Sequence, residues 1–167
     1  MDASLPSAGL LSEHAELQRG VADLARVAAE VSDWSVPDTP DHLRHVRGFL
    51  YTQLIPHAET EEAVLYALMD KVMGAQGATE TMVADHREIH RRIDAFASIA
   101  DAVAQGPPSD AELEALREHL YALWAIVRLH LEKEEQLLFP LLDQHLSAAD
   151  VRTPHEEMAA FEGHRPG

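Results

Sequence analysis

A twelve-residue pattern occurs twice in this chain, and it limits the folds available. His57-Ala-Glu-Thr-Glu61-Glu-Ala-Val-Leu65-Tyr66-Ala-Leu68 aligns with His130-Leu-Glu-Lys-Glu134-Glu-Gln-Leu-Leu138-Phe139-Pro-Leu141 at an offset of 73 residues. At the same offset Tyr51 matches Trp124. At an offset of 72 the segment around His14 matches the one around His86, with Gln18 opposite His90. A chain that repeats itself in this way is expected to form two related helical hairpins packed about a pseudo-two-fold axis.

Apolar periodicity supplies the helices. Leu10, Leu17, Val21, Leu24, Val27, Ala28 and Val31 recur at helical spacing, which predicts a first helix from about Ser7 to Val31. It ends before Pro37, Asp38, Thr39 and Pro40. A second is expected from about Pro40 to Met73, stopping at Gly74 to Gly77. A third is expected from about Ala78 to Gln105, ending at Gly106-Pro107-Pro108. The fourth opens at Ser109 or Asp110, with Glu112 as capping partner, and runs to about Leu146. Short links between long helices favour antiparallel neighbours. The expected fold is therefore all-α, an up-down-up-down antiparallel four-helix bundle over residues 1–146. Residues 147–167 form a short polar C-terminal extension, with a short-helix pattern around Thr153–Phe161. Pro56 and Pro140 fall inside predicted helices, where each removes a hydrogen bond and should kink its helix.

Composition narrows the chemistry. The formal net charge of −16 disfavours nucleic acid and anionic membrane surfaces, which need Lys and Arg against phosphate. There is no cysteine, so a metal here is held by nitrogen and oxygen, and thiolate or iron–sulfur sites are excluded. The most apolar run, Leu120 to Leu131, contains Arg128 and His130 and is too short and too polar to span a bilayer. No signal peptide is recognised, so cytoplasm is the default location.

Eleven histidines are many for this length, and their spacing sorts them. Residues four apart on a helix share a face. His57 with Glu61, His86 with His90 and His130 with Glu134 have that spacing, and His14 stands alone in the first helix. Counted from the predicted helix ends, these groups lie at comparable depths, with the fourth-helix pair about a turn deeper. A single buried histidine is usually a hydrogen-bonded core residue, and a single His-x-x-x-Glu pair is usually a surface contact. Seven such groups on four successive helices are harder to bury without a cation. The expected site is dinuclear, with Glu61 and Glu134 bridging and imidazoles in terminal positions. With a solvent bridge, one coordination position stays open, where oxygen, peroxide or nitric oxide would bind a redox metal.

Other residues read differently. Glu62 and Glu135 are alternatives to Glu61 and Glu134; otherwise, with Glu59 and Glu132, they are solvated or support the ligands. Tyr51 and Trp124 read as core packing, with a pocket wall as the alternative. Leu50, Leu54, Leu65, Ile89, Ile93, Leu123, Val127 and Leu138 read as core. His42, His155 and His164 read as solvated, and His145 as a partner of the fourth-helix dipole. His45 and His119 lie about 16–18 Å along their helices from His57 and His130, too far to be ligands.

With these residues in place, the chain resembles the hemerythrin-like, or HHE cation-binding, family over roughly Leu10 to Leu146. The motifs are His14, then Pro56-His57-Ala58 with Glu61-Glu62, then His86 and His90, then His130 with Glu134-Glu135 and Leu138-Phe139-Pro140. The resemblance implies an up-down bundle with a non-haem di-iron centre, two irons bridged by an oxo or hydroxo group. It implies terminal roles for His14, His57, His86, His90 and His130 and bridging roles for Glu61 and Glu134. By analogy His86, His90 and His130 would hold one iron, and His14 and His57 the open one. Oxygen carriers of marine invertebrates have aspartate five residues after the fourth-helix histidine. Here that residue is Glu135, and Glu134 is the better match to microbial and iron-sensing members, which weighs against reversible oxygen carriage.

The leading expectation is a non-enzymatic protein that binds a small diatomic ligand, O2 or NO, for binding or sensing. A di-iron enzyme acting on peroxide or in another oxidation is the alternative. A redox-inactive zinc or iron-storage bundle is the third. Ferritin-like oxidases use Glu-x-x-His, and only near misses such as Glu16-x-x-Arg19 occur here.

Overall fold

A computed structural model describes residues 5–31, 38–75 and 77–146. The helical pattern at Thr153–Phe161 lies outside them, as do His155 and His164. The described residues form four helical rods, as the periodicity predicts. Helix α1 is Ala8–Glu30. Helix α2 is a continuous rod built from Thr39–Phe49, Leu50–Leu54, Ile55–Thr60, Glu61–Tyr66 and Ala67–Met73. Helix α3 is Glu80–Val103. Helix α4 joins Asp110–Lys133, Glu134–Leu138 and Phe139–His145. No helix among the described residues is long and apolar enough to cross a membrane.

Local chemistry sets the ends. Ser109 accepts from the Glu112 backbone N–H while the Glu112 carboxylate accepts from the Ser109 N–H, the reciprocal cap that starts α4. Gly74 closes α2 in the left-handed region at φ 63°, where a side chain would be strained. Asp70 then accepts from the backbone N–H groups of Gly77 and Thr79, which ties the end of α2 to the start of α3. Its carboxyl is held below its ordinary value, first by the Gly77 N–H.

The expected proline kinks take the form of widened, π-type turns. Proline has no N–H and its ring clashes with the carbonyl four residues back. Just before Pro56 the Ile55 N–H bonds five residues back to Leu50 O, and just before Pro140 the Phe139 N–H bonds to Glu134 O. Two of the three wide segments, Glu61–Tyr66 and Glu134–Leu138, begin at equivalent carboxylates of the internal repeat. Such turns concentrate at functional sites because they re-aim side chains.

The interior is divided in two. A large apolar cluster, including Leu24, Val46, Phe49, Ile93, Phe96, Leu120 and Val127, fills the end bounded by the α1–α2 and α3–α4 connections. A smaller one, Leu10, Leu65, Tyr66, Met69, Met82, Leu138, Phe139 and Leu142, fills the other end. All eight apolar positions assigned to the core are buried. Tyr51 is not: it is 41% exposed, within the wide turn that shifts helical register ahead of Pro56, and the Arg47 guanidinium lies over its ring. Trp124 is partly buried against the large cluster. His42 bonds to Glu30 through Nδ1 at 2.6 Å instead of standing free in solvent. Between the two apolar clusters lies a belt of buried polar side chains.

Candidate metal centre

That belt contains His14, His57, Glu61, His86, His130 and Glu134, all buried. Two sets of ligand atoms each lie within 4.8 Å of one another: His14, His57 and Glu61, and Glu61, His86 and His130. Glu61 belongs to both. Its Oε1 is 3.0 Å from His57 Nε2 and 3.6 Å from His14 Nε2, while its Oε2 is 3.5 Å from His86 Nε2. One carboxylate thus turns one oxygen toward each histidine pair. Glu134 Oε2 is 3.5 Å from both His14 Nε2 and His130 Nε2, across the same divide. The fourth-helix pair reaches the common level, with His86 Nε2 and His130 Nε2 only 2.8 Å apart.

The ring nitrogens facing away from the centre meet carboxylates. Glu135 is 3.2 Å from His14 Nδ1, Glu62 is 2.9 Å from His86 Nδ1, and Asp85 is 3.2 Å from His130 Nδ1. Glu13 is 3.8 Å from His57 Nδ1. A neutral imidazole carries one proton, and a carboxylate at Nδ1 holds it there. The Nε2 lone pairs are then aimed inward, toward each other and toward Glu61 and Glu134. Asp85 lies below its ordinary value: burial would raise it, but the bonds from His130 and Lys133 outweigh burial.

A cluster of inward lone pairs and carboxylates is unfavourable unless a cation fills it. The buried polar atoms report this directly. Among the described residues, His14 Nε2, both oxygens of Glu61 and Glu134 Oε2 have no hydrogen-bond partner. Burial pushes the His130 imidazole down, toward the neutral form that ligates. Burial also raises Glu61, but His57, His14 and His86 pull it well below its ordinary value. Burial and the Glu61 charge push Glu134 well above the carboxylate range. Two carboxylates this deep and this close do not both ionise without positive charge between them. The donor set therefore fits metal ions.

His90 sits one turn beyond His86 on α3, half-buried, and belongs to neither donor set among the described residues. An unexpected group stands at the centre instead. Tyr66 donates its O–H to Glu134 Oε1 at 2.6 Å, and its oxygen is 3.3 Å from His130 Nε2 and 3.4 Å from His86 Nε2. Burial and the charges of Glu61 and Glu134 push its phenol up, so in the absence of a cation it remains a donor. Tyr66 is five residues after Glu61. In a regular helix that position turns away from the face, but a wide turn with i to i+5 bonding stacks it there. Phe139 follows Glu134 by the same five residues, and its ring lies 4.9 Å from that of His14.

The fold and the donors define a cation-binding four-helix bundle. A family model described as the hemerythrin HHE cation binding domain matches residues 5–142, and again 89–160, and the chain belongs to that family. Comparison with curated proteins and with solved structures found no match.

Proposed function

We propose that this belt holds two iron ions, bridged by Glu61, Glu134 and a solvent-derived oxo or hydroxo group, and that the protein binds a small ligand such as O2 or NO there. The observation that carries the reading is the Glu61 carboxylate, with one oxygen toward His14 and His57 and the other toward the His86 side. Zinc favours four tetrahedral ligands. Histidine nitrogens with several carboxylate oxygens per ion suit a higher-coordinate metal such as iron. When bound, such ions supply electrons to a diatomic ligand.

The chain's own contribution is to orient, enclose and admit. Glu62, Glu135 and Asp85 fix the ring tautomers. The apolar clusters above and below exclude bulk water. A pocket of about 450 Å³ opens beside His57, lined by Glu13, Glu16, Leu17, Thr52, Gln53 and Pro56. It gives a small ligand a route to the His14 and His57 side. Phe139 offers no donor atom on that side, which favours an open position there.

Metal analysis of the purified full chain, with its absorption spectrum, tests the reading. The expected result is two irons per chain and oxo-bridge charge-transfer bands that respond to oxygen or nitric oxide. Zinc, or no stoichiometric metal, would overturn it. Steady consumption of peroxide at the same centre would replace ligand binding by an oxidative enzyme.

A further inference from the structure

The two halves of the belt correspond residue by residue. His14 and His86 correspond, as do His57 and His130, Glu61 and Glu134, Glu62 and Glu135, and Glu13 and Asp85. The correspondence extends to contacts, because Glu62 of one hairpin meets His86 of the other and Glu135 meets His14. It fails at one atom inside the belt: the hydroxyl of Tyr66 has no counterpart on Phe139.

We infer that the Tyr66 oxygen is the third terminal ligand of the cation held by His86 and His130. This rests on the reading that the belt holds metal. Metal–nitrogen and metal–oxygen bonds are about 2.0–2.2 Å, which sets neighbouring donors of a six-coordinate ion about 3 Å apart. The Tyr66 oxygen stands at 3.3 and 3.4 Å from the two Nε2 atoms and 2.6 Å from Glu134. Its single O–H serves Glu134; with the Nδ1 protons of His86 and His130 donated to Glu62 and Asp85, both Nε2 atoms would turn a lone pair toward the same space as its oxygen. Phenolate is an established iron ligand. On coordination the O–H bond breaks, the proton leaves to solvent and an oxygen lone pair binds the cation. Glu134 Oε1, released from that hydrogen bond, becomes available to bridge. Tyr66 thereby fills the terminal position that the family resemblance gives to His90, which belongs to neither donor set among the described residues.

Resonance Raman spectroscopy of the ferric protein, grown with ring-deuterated tyrosine, tests this without a mutation. Tyrosine ring modes in resonance with a visible charge-transfer band, shifted by the deuterium, are expected. The other two tyrosines cannot supply them, since Tyr51 and Tyr121 are 41% and 37% exposed and lie outside the belt. Tyr66→Phe should lose the band and keep both irons, and His90→Ala should keep band and irons. A wild-type protein with two irons and no phenolate modes overturns this inference and leaves the metal reading standing. Loss of an iron from His90→Ala with no loss of the band from Tyr66→Phe also overturns it. Absence of stoichiometric metal removes both readings together.

Discussion

One half of the centre is tight and the other is loose, although they are built from the same repeat. On the His86 and His130 side, Asp85 is 3.2 Å from His130 Nδ1 and is itself ion-paired with Lys133. Tyr66 stacks on His86, with ring centroids 5.4 Å apart. On the His14 and His57 side, Glu13 stands 3.8 Å from His57 Nδ1, and Thr60 occupies the position equivalent to Lys133. A pocket reaches His57 from outside. Duplication builds two similar donor sets that share Glu61. On the proposed reading, small departures between them would leave one half to hold its cation and the other to exchange ligands.

The largest effect should come from the residue both halves share. Glu61→Ala is expected to remove both ions, as measured by metal content per chain, because among the described residues Glu61 is the one shared by both donor sets. Retention of one full equivalent would show that the halves load independently. Next in size are the single histidines. His86→Ala should release the metal of the tight half, while His57→Ala should leave that metal in place and suppress ligand binding at the other. Equal losses in both variants would erase the distinction between halves. A smaller effect is expected from the outer carboxylates. Glu62→Ala and Glu135→Ala should each weaken metal affinity by about 10–100-fold, the usual cost of losing a ligand's hydrogen-bond partner. Competition with a chelator measures this. Closely similar values are expected, since the two residues perform the same task in opposite hairpins.

The sequence exposes the parts of this centre that follow regular helical spacing. The four rods, the Ser109 cap and the inward histidines His14, His57, His86 and His130 are visible from a period of 3.6 residues and from the repeat. Tyr66 is not, because it reaches the centre only where the turn after Glu61 widens and the period changes. The repeat does pair it with Phe139, so a polar atom lacking a counterpart was present as a signal. His90 keeps its i, i+4 relation to His86 but belongs to neither donor set among the described residues. Glu13 and Asp85 were readable only as a corresponding pair at an offset of 72, since their contacts are with other helices and nothing in local spacing indicates them. Tyr51 departs from its expected core position for the reason that Tyr66 escapes helical spacing: it too lies in a widened turn.

The smallest effect concerns what makes the tight half tight. Asp85 has a folded-state pKa below its ordinary value, because the contacts with His130 and Lys133 outweigh burial. Its contribution to stability is therefore present above the unfolded carboxylate value and is lost as pH falls through the folded one. The Asp85 side chain is still 23% exposed, and solvent screening holds that contribution to about 1 kcal/mol or less. Asp85→Asn should lower the melting midpoint slightly at neutral pH, and the gap to wild type should close in acid. Glu13→Gln, its counterpart on the loose half, should show a smaller gap at every pH, because the carboxylate stands 3.8 Å from His57 Nδ1, farther than Asp85 stands from His130 Nδ1. If the two variants melt alike, the stiffness of the tight half cannot come from the Asp85–Lys133 pair. It would then rest on the Tyr66 ring and hydroxyl alone.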